Sequence, residues 1–172
     1  KSKDLVNWEI VNYVYDILGD TDAMNLRNGE SMYSNGQWAA SLQYHNNKYY
    51  VAFNSNTTGH AYIYTTDDIE NGSWTTELAN AYHDMALFFD DDTPYIVYGS
   101  GEIKYVELSE DLSGEKEGGK RGTLFSAHSG ADAGKFDGGL SFEGTHVMKK
   151  DGYYYLSIPE GGVGTGWQTI LR

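Results

Sequence analysis

The stretch that decides the fold is Met85–Gly114, "MALFFDDDTPYIVYGSGEIKYVELSEDLSG". It contains an apolar run, an Asp-Asp-Asp-Thr-Pro turn, a second apolar run, a Ser-Gly turn and a third run that ends in Glu110-Asp111-Leu112. Short runs of β-branched and aromatic residues bounded by Asp, Gly and Pro are typical of strands joined by tight turns. We therefore expect a three-stranded antiparallel unit here.

Two other segments repeat this order. Trp38–Trp74 contains a strand, an Asn-Asn-Lys turn, a Tyr-rich strand and a third strand that ends in Asp67-Asp68-Ile69, and Gly144–Arg172 stops inside its third strand. Successive hairpin turns lie roughly 45 to 60 residues apart, which is the period of propeller blades. The sequence predicts an all-β protein in which residues 1–172 form part of a single β-propeller domain. A complete open β-sandwich is the alternative.

The ends of the chain bear on how much of a propeller is present. Ser2–Trp8, "SKDLVNW", matches Thr65–Trp74, the closing stretch of the first full unit. We therefore expect about two and a half blades, without the start of the first blade and without the last blades. Ser113–Gly139 is rich in Gly and charged residues and predicts a long surface connection with one short strand at Gly122–Ser126.

The composition narrows the classes of partner. A formal net charge of −13 disfavours nucleic acid and anionic membrane surfaces, but it is compatible with a neutral carbohydrate. The absence of cysteine excludes thiolate metal sites and cysteine nucleophiles. No apolar run is long enough to cross a membrane, so membrane insertion is not expected.

Two carboxylates occupy equivalent places in adjacent units. Asp84 and Glu143 each come shortly before the innermost strand of their unit, so both are expected to face the central channel. Glycoside hydrolysis needs such a pair, because one carboxyl protonates the leaving oxygen and another tunes its acidity or activates water. A solvated loop residue is the competing interpretation of Glu143. His83 and His146 flank the pair without the spacing of a metal site.

Two aromatic residues are candidates for substrate binding. Trp38 begins the innermost strand of its unit, where an exposed indole would stack on a sugar ring and a buried one would pack between blades. Phe142 precedes Glu143 and is predicted to lie in the same site. An apolar neighbour also favours the protonated form of a carboxyl, which a general acid requires.

Several stretches of the sequence together resemble a known family. The stretches "SKDLVNW", "WAASLQYHNNKYYVAF", "HDMALFFDDDTPYIVYG", "IKYVELSEDL" and "FEGTHVMKKDGYYYLSI" occur in this order and resemble glycoside hydrolase family 43 over nearly the whole chain. Members of that family are five-bladed propellers and include β-xylosidases, α-L-arabinofuranosidases and arabinanases. They hydrolyse with inversion through three carboxylates in the central channel.

The resemblance implies a role for each candidate. Asp84 matches the carboxylate that orients the general acid and tunes its acidity, Glu143 matches the general acid, and Trp38 matches a residue that lines the sugar site. Met85 and Thr145 stand where the family usually has Pro. The family's general base lies before the "SKDLVNW" motif, so the segment alone is expected to be inactive.

The resemblance also sets expectations about substrate and surroundings. We expect a glycosidase that acts on xylose- or arabinose-containing plant polysaccharides or oligosaccharides, together with the remaining blades of the propeller. The alternative is a carbohydrate-binding propeller without catalysis. No cofactor is expected within this segment, and a structural calcium or sodium ion in the channel of the complete propeller stays open. A secreted or periplasmic location is expected, and a cytoplasmic one stays open.

Overall fold

The computed structural model describes residues 1–126, 142–160 and 166–172. These residues form three antiparallel sheets in which the strands follow one another in chain order. The first sheet contains β1 (Gln37–His45), β2 (Lys48–Ser55), β3 (His60–Thr66) and β4 (Thr75–Asn80). The second contains β5 (Ala86–Asp90), β6 (Thr93–Tyr98), β7 (Glu102–Glu107) and β8 (Arg121–Ser126). The third contains β9 (His146–Lys150), β10 (Tyr153–Glu160) and β11 (Trp167–Leu171).

The architecture confirms the all-β prediction and the interpretation as propeller blades. Two four-stranded sheets and one three-stranded sheet correspond to the blades expected from the repeats. The described part of the chain contains no helix, and hence none long and apolar enough to span a lipid bilayer. The short strand predicted at Gly122–Ser126 is β8, and the rest of the predicted connection from residue 127 to 139 lies outside the described residues.

Two predicted strand ends are wrong, and local hydrogen bonds explain both. β3 ends at Thr66, because the carboxylate of Asp68 accepts hydrogen bonds from the backbone N–H groups of Glu70 (2.9 Å) and Asn71 (3.1 Å). β7 ends at Glu107, before Asp111, whose carboxylate accepts a hydrogen bond from its own turn. Asp side chains that bond the backbone a few residues ahead stabilise turns in preference to strands.

Tight turns set the register of the hairpins. Asn46 and Asn47 connect β1 to β2 with φ angles of 46° and 60°, and Asp151 and Gly152 connect β9 to β10 with φ angles of 52° and 78°. A two-residue turn with positive φ at both positions matches the twist of the flanking strands, and Asn, Asp and Gly adopt it most readily. These turns lie at the same end of the molecule.

Side chains pack the sheets against one another. Ala52, Ala61 and Ile63 of the first sheet lie in one buried cluster with Leu87 and Ile96 of the second. Val97 and Ile103 of the second sheet form another cluster with residues of the third segment. The opposite face of the first sheet is covered by Val14, Tyr15 and Leu18 from the N-terminal region. Each sheet is therefore one layer in a stack.

The first strands of the three sheets lie side by side. β1 contacts β5, and β5 contacts β9. At their hairpin tips, His45 is 3.1 Å from Asp92, and Lys149 donates hydrogen bonds to Asp90 (2.7 Å) and Asp91 (2.9 Å). Because the tips meet at one end, the starts of the same strands meet at the other. That end holds the candidate site.

Candidate active site

Asp84 enters the site from the segment that leads into β5. This segment is anchored on both sides, because Tyr82 donates its backbone N–H to Asn54 Oδ1 (3.0 Å) and the His83 carbonyl accepts the Gly99 N–H (2.9 Å). Asp84 itself has a φ of 45°, a left-handed conformation that Asp and Asn tolerate better than most residues. The side chain of Asp84 is 14% exposed.

The surroundings of Asp84 change its acidity. Burial is the largest influence and raises the pKa of the Asp84 carboxyl above its usual value. The neighbouring Glu143 carboxylate raises this pKa further, whereas His83 lowers it. Burial and like charge both disfavour ionisation of a carboxyl, so Asp84 retains its proton more readily than an exposed Asp does.

Glu143 enters from the third segment. Its neighbour Phe142 forms a β-bridge with Glu160 and accepts a hydrogen bond from the Gly101 N–H (3.0 Å), which ties this segment to the second sheet. Gly144 follows with a φ of 63° and redirects the chain into β9. The side chain of Glu143 is 43% exposed.

His83 brings the two carboxylates into one cluster. Its Nε2 lies 2.9 Å from Glu143 Oε2 and 4.0 Å from Asp84 Oδ2. One donor or acceptor atom from each of the three residues lies within 4.8 Å of the others. From its spacing alone, His83 was weighed only as a metal ligand; its place directly before Asp84 was the signal for its actual position.

The structure brings one of the two predicted aromatic residues to this cluster. Trp38 is 37% exposed at the start of β1, and its ring centroid lies 6.2 Å from that of His83 in an edge-on arrangement. Phe142 has no exposed surface and packs against Phe125 with a centroid distance of 5.1 Å. Its ring therefore lies in the core between the second and third sheets rather than beside a substrate.

His83, Asp84 and Glu143 lie close enough together to share a cation. They are the group of His, Asp and Glu side chains in residues 1–126, 142–160 and 166–172 for which this is true. His83 Nε2 already contacts Glu143, and both of these side chains are more than 40% exposed, at 46% and 43%. Because these two side chains are exposed and already bond each other, a hydrogen-bonded cluster is a simpler description of the site than a metal-binding site. The expected absence of a metal ligand set in this segment stays a prediction.

Known proteins resemble this chain in sequence and in fold. A sequence profile of glycosyl hydrolases family 43 matches residues 1–171. The chain belongs to this family. The resemblance of the quoted motifs is thereby confirmed.

The similarity extends to individual family 43 proteins. A protein of Xylanibacter ruminicola with the provisional name β-xylosidase is 35% identical, over 100% of this chain and 31% of its own length. The non-reducing end α-L-arabinofuranosidase BoGH43B of Bacteroides ovatus is 30% identical, over 99% of this chain and 31% of its own. A solved structure of a bifunctional GH43-CE protein of Bacteroides eggerthii superposes with a TM-score of 0.82 at 39% identity, over 98% of this chain and 22% of that one.

The extent of these matches is uneven. This family 43 chain spans 31% of the length of both curated relatives. The α-L-arabinanase of Cellvibrio cellulosa, at 18% identity and a TM-score of 0.69, shares the fold over 98% of this chain and 60% of its own. The chain therefore corresponds to only a part of each of these longer proteins.

Proposed function

We propose that this chain provides the general acid and an acidity-tuning carboxylate to an inverting glycosidase that acts on xylose- or arabinose-containing plant polysaccharides or oligosaccharides. The observation that carries the proposal is the meeting of Asp84 and Glu143, from segments that lead into different sheets, around His83. Family membership supports glycoside hydrolysis as the reaction class. The names of the Xylanibacter and Bacteroides relatives support the two sugar classes.

Exposure distinguishes the roles of the two carboxyls. Glu143 is 43% exposed and can reach the oxygen of a glycosidic bond, whereas Asp84 is 14% exposed and lies behind it. Burial is the main reason why the pKa of the Asp84 carboxyl is raised, and the neighbouring Glu143 carboxylate adds to it.

The separation of the carboxyls bears on the stereochemistry. Inverting glycosidases keep the acid and the base about 6.5–9.5 Å apart, so that a water molecule fits between them. Asp84 and Glu143 contribute oxygens that lie within 4.8 Å of each other, which is closer than the acid and the base of an inverting reaction. Asp84 therefore fits the tuning role, and the base of an inverting reaction would come from another blade.

The test uses the full-length protein and two aryl glycosides of each sugar, one with a poor and one with an activated leaving group. Glu143→Gln is expected to lower turnover of the poor leaving group by about 10²- to 10⁴-fold, because that bond cannot break without a proton, and to affect the activated one far less. The anomer released first, followed by NMR, tests inversion. Unchanged turnover of the poor leaving group in Glu143→Gln would refute the proposal.

Carbohydrate binding without catalysis is the second candidate, and the exposed indole of Trp38 supports it. In that case the full-length wild-type protein binds xylo- or arabino-oligosaccharides and releases no sugar, and Trp38→Ala abolishes the binding. Calorimetric titration beside a reducing-sugar assay separates the two functions.

A further inference from the structure

His83 makes the contact that fixes the exposed carboxyl of Glu143. Among the described residues it is the hydrogen-bond partner of that carboxyl, with Nε2 2.9 Å from Oε2. We infer that His83 is a positioning residue for the general acid: it holds Oε2 of Glu143, so that Oε1 carries the proton to the leaving oxygen. This inference rests on the proposed function.

The need for such a residue follows from the position of Glu143. Its side chain is 43% exposed and rotates about several bonds, and it is followed by Gly144 at a φ of 63°. A proton donor loses efficiency when it samples many rotamers, because general acid catalysis depends on a fixed distance to the leaving oxygen. The hydrogen bond to the imidazole selects one rotamer.

His83 is itself held firmly enough for this purpose. Its backbone carbonyl accepts the Gly99 N–H (2.9 Å), and its ring packs edge-on against Trp38 at a centroid distance of 6.2 Å. Neither anchor uses Nε2. The ring therefore has a fixed position and one nitrogen directed at the carboxyl, and a change of side chain leaves the backbone anchor intact.

The proton balance follows from this arrangement. When His83 donates its Nε2–H to Oε2, the acidic proton of Glu143 lies on Oε1. In the reaction the Oε1–H bond breaks, the proton forms a bond with the glycosidic oxygen, and the electron pair of the sugar–oxygen bond leaves with the alcohol. The Glu143 carboxylate that results keeps the hydrogen bond from His83, which is stronger to an anion than to a neutral acid.

Three variants of the full-length protein test the inference on phenyl and 2,4-dinitrophenyl glycosides of the sugar that it hydrolyses. His83→Phe keeps an aromatic ring beside Trp38 but lacks the donor, and His83→Gln restores an N–H donor at a similar reach. His45→Phe is the matched control, because His45 also lies beside a carboxylate (Asp92, 3.1 Å) and stacks on an aromatic ring, but at the hairpin tips.

The leaving groups separate positioning from general damage. His83→Phe is expected to lower kcat for the phenyl glycoside by about 10- to 100-fold, a part of the full effect of a general acid, and to change kcat for the dinitrophenyl glycoside by less than about 3-fold. His83→Gln is expected to recover most of the loss, and His45→Phe to change neither rate. An activated substrate needs no proton, so its turnover also reports that the variants are folded.

Other outcomes overturn the inference. Equal losses of kcat on both substrates in His83→Phe would indicate a structural role of His83, and an unchanged kcat would indicate that His83 has no role. A Gln variant as impaired as the Phe variant would exclude the hydrogen bond as the cause. Glu143→Gln in the same assay distinguishes failure of the role inferred for His83 from failure of the proposed function. If Glu143→Gln is selectively impaired and His83→Phe is not, only the role of His83 fails; if Glu143→Gln is unimpaired, the proposed function fails as well.

Discussion

Replacing Phe142 by alanine is expected to weaken the fold and to leave substrate affinity unchanged. The ring is completely buried and lies in the cluster that contains Val97, Ile103 and Ile158. Truncating a buried Phe to Ala removes apolar contacts and leaves a cavity, which lowers the free energy of unfolding by about 3–5 kcal/mol. Domains are commonly stable by only about 5–15 kcal/mol, so a large share of the stability is at stake.

Urea unfolding of the full-length protein, followed by intrinsic fluorescence, measures this change. With an m-value of about 3 kcal/mol/M, the midpoint should fall by about 1 M or more. Tyr33→Ala is the control, because this aromatic side chain is 77% exposed and its loss should change stability by less than about 0.5 kcal/mol. An unchanged midpoint together with a raised KM in Phe142→Ala would refute the reasoning, since it would mean that the ring contacts substrate.

Three further changes have calculable directions. Asp84→Asn removes a carboxyl whose pKa is raised by burial. Because this carboxyl ionises more easily in the unfolded chain, the wild-type protein loses stability as pH rises above 3.8, and the variant should therefore resist urea better than wild type at pH 7. This gain should vanish as pH falls towards 4. Lys149→Met breaks an ion pair between hairpin tips and should lower the urea midpoint less in about 1 M salt than in dilute buffer, whereas equal losses would exclude an electrostatic cause. Gly144→Ala forces a side chain into a left-handed φ of 63° and should reduce unfolding free energy by about 1–2 kcal/mol, while Gly114→Ala, which has no such constraint, should be near neutral.

The hairpins could be predicted from the sequence because their signals are local. Asn46-Asn47 and Asp151-Gly152 are residue pairs that adopt positive φ, and apolar runs flank both. β4 (Thr75–Asn80) was missed because its sequence, TTELAN, has little apolar alternation and depends on pairing with β3. Its formation is therefore determined by the sheet rather than by its own residues.

The candidate site was predictable in part. Asp84 and Glu143 were found because each precedes the first strand of its unit, a position that repeats along the chain. Phe142 was assigned to the same site, yet consecutive residues of an extended segment point to opposite sides, so a channel-facing Glu143 directs Phe142 into the core. That alternation was available in the sequence and outweighs the adjacency on which the prediction was based.

The contact between His83 and Glu143 could not be predicted in this way. No sequence spacing specifies which imidazole nitrogen meets a carboxylate from a separate sheet. The 2.9 Å distance depends on the packing of the second and third sheets, and therefore on many buried side chains together. Local patterns indicate which residues reach the channel, and the packing determines which of them touch.

The site combines residues from three blades, so its geometry depends on the spacing between the blades. Trp38 lies in the first sheet, His83 and Glu143 lie on the segments that lead into the second and third sheets, and side-chain packing largely sets the distances between those sheets. A substitution or solvent that loosens the stack separates donor from acceptor while every strand stays paired. Heat should therefore abolish the proposed glycosidase activity of the full-length protein at a lower temperature than it melts the β-structure. Core substitutions far from the site should lower turnover before they unfold the strands.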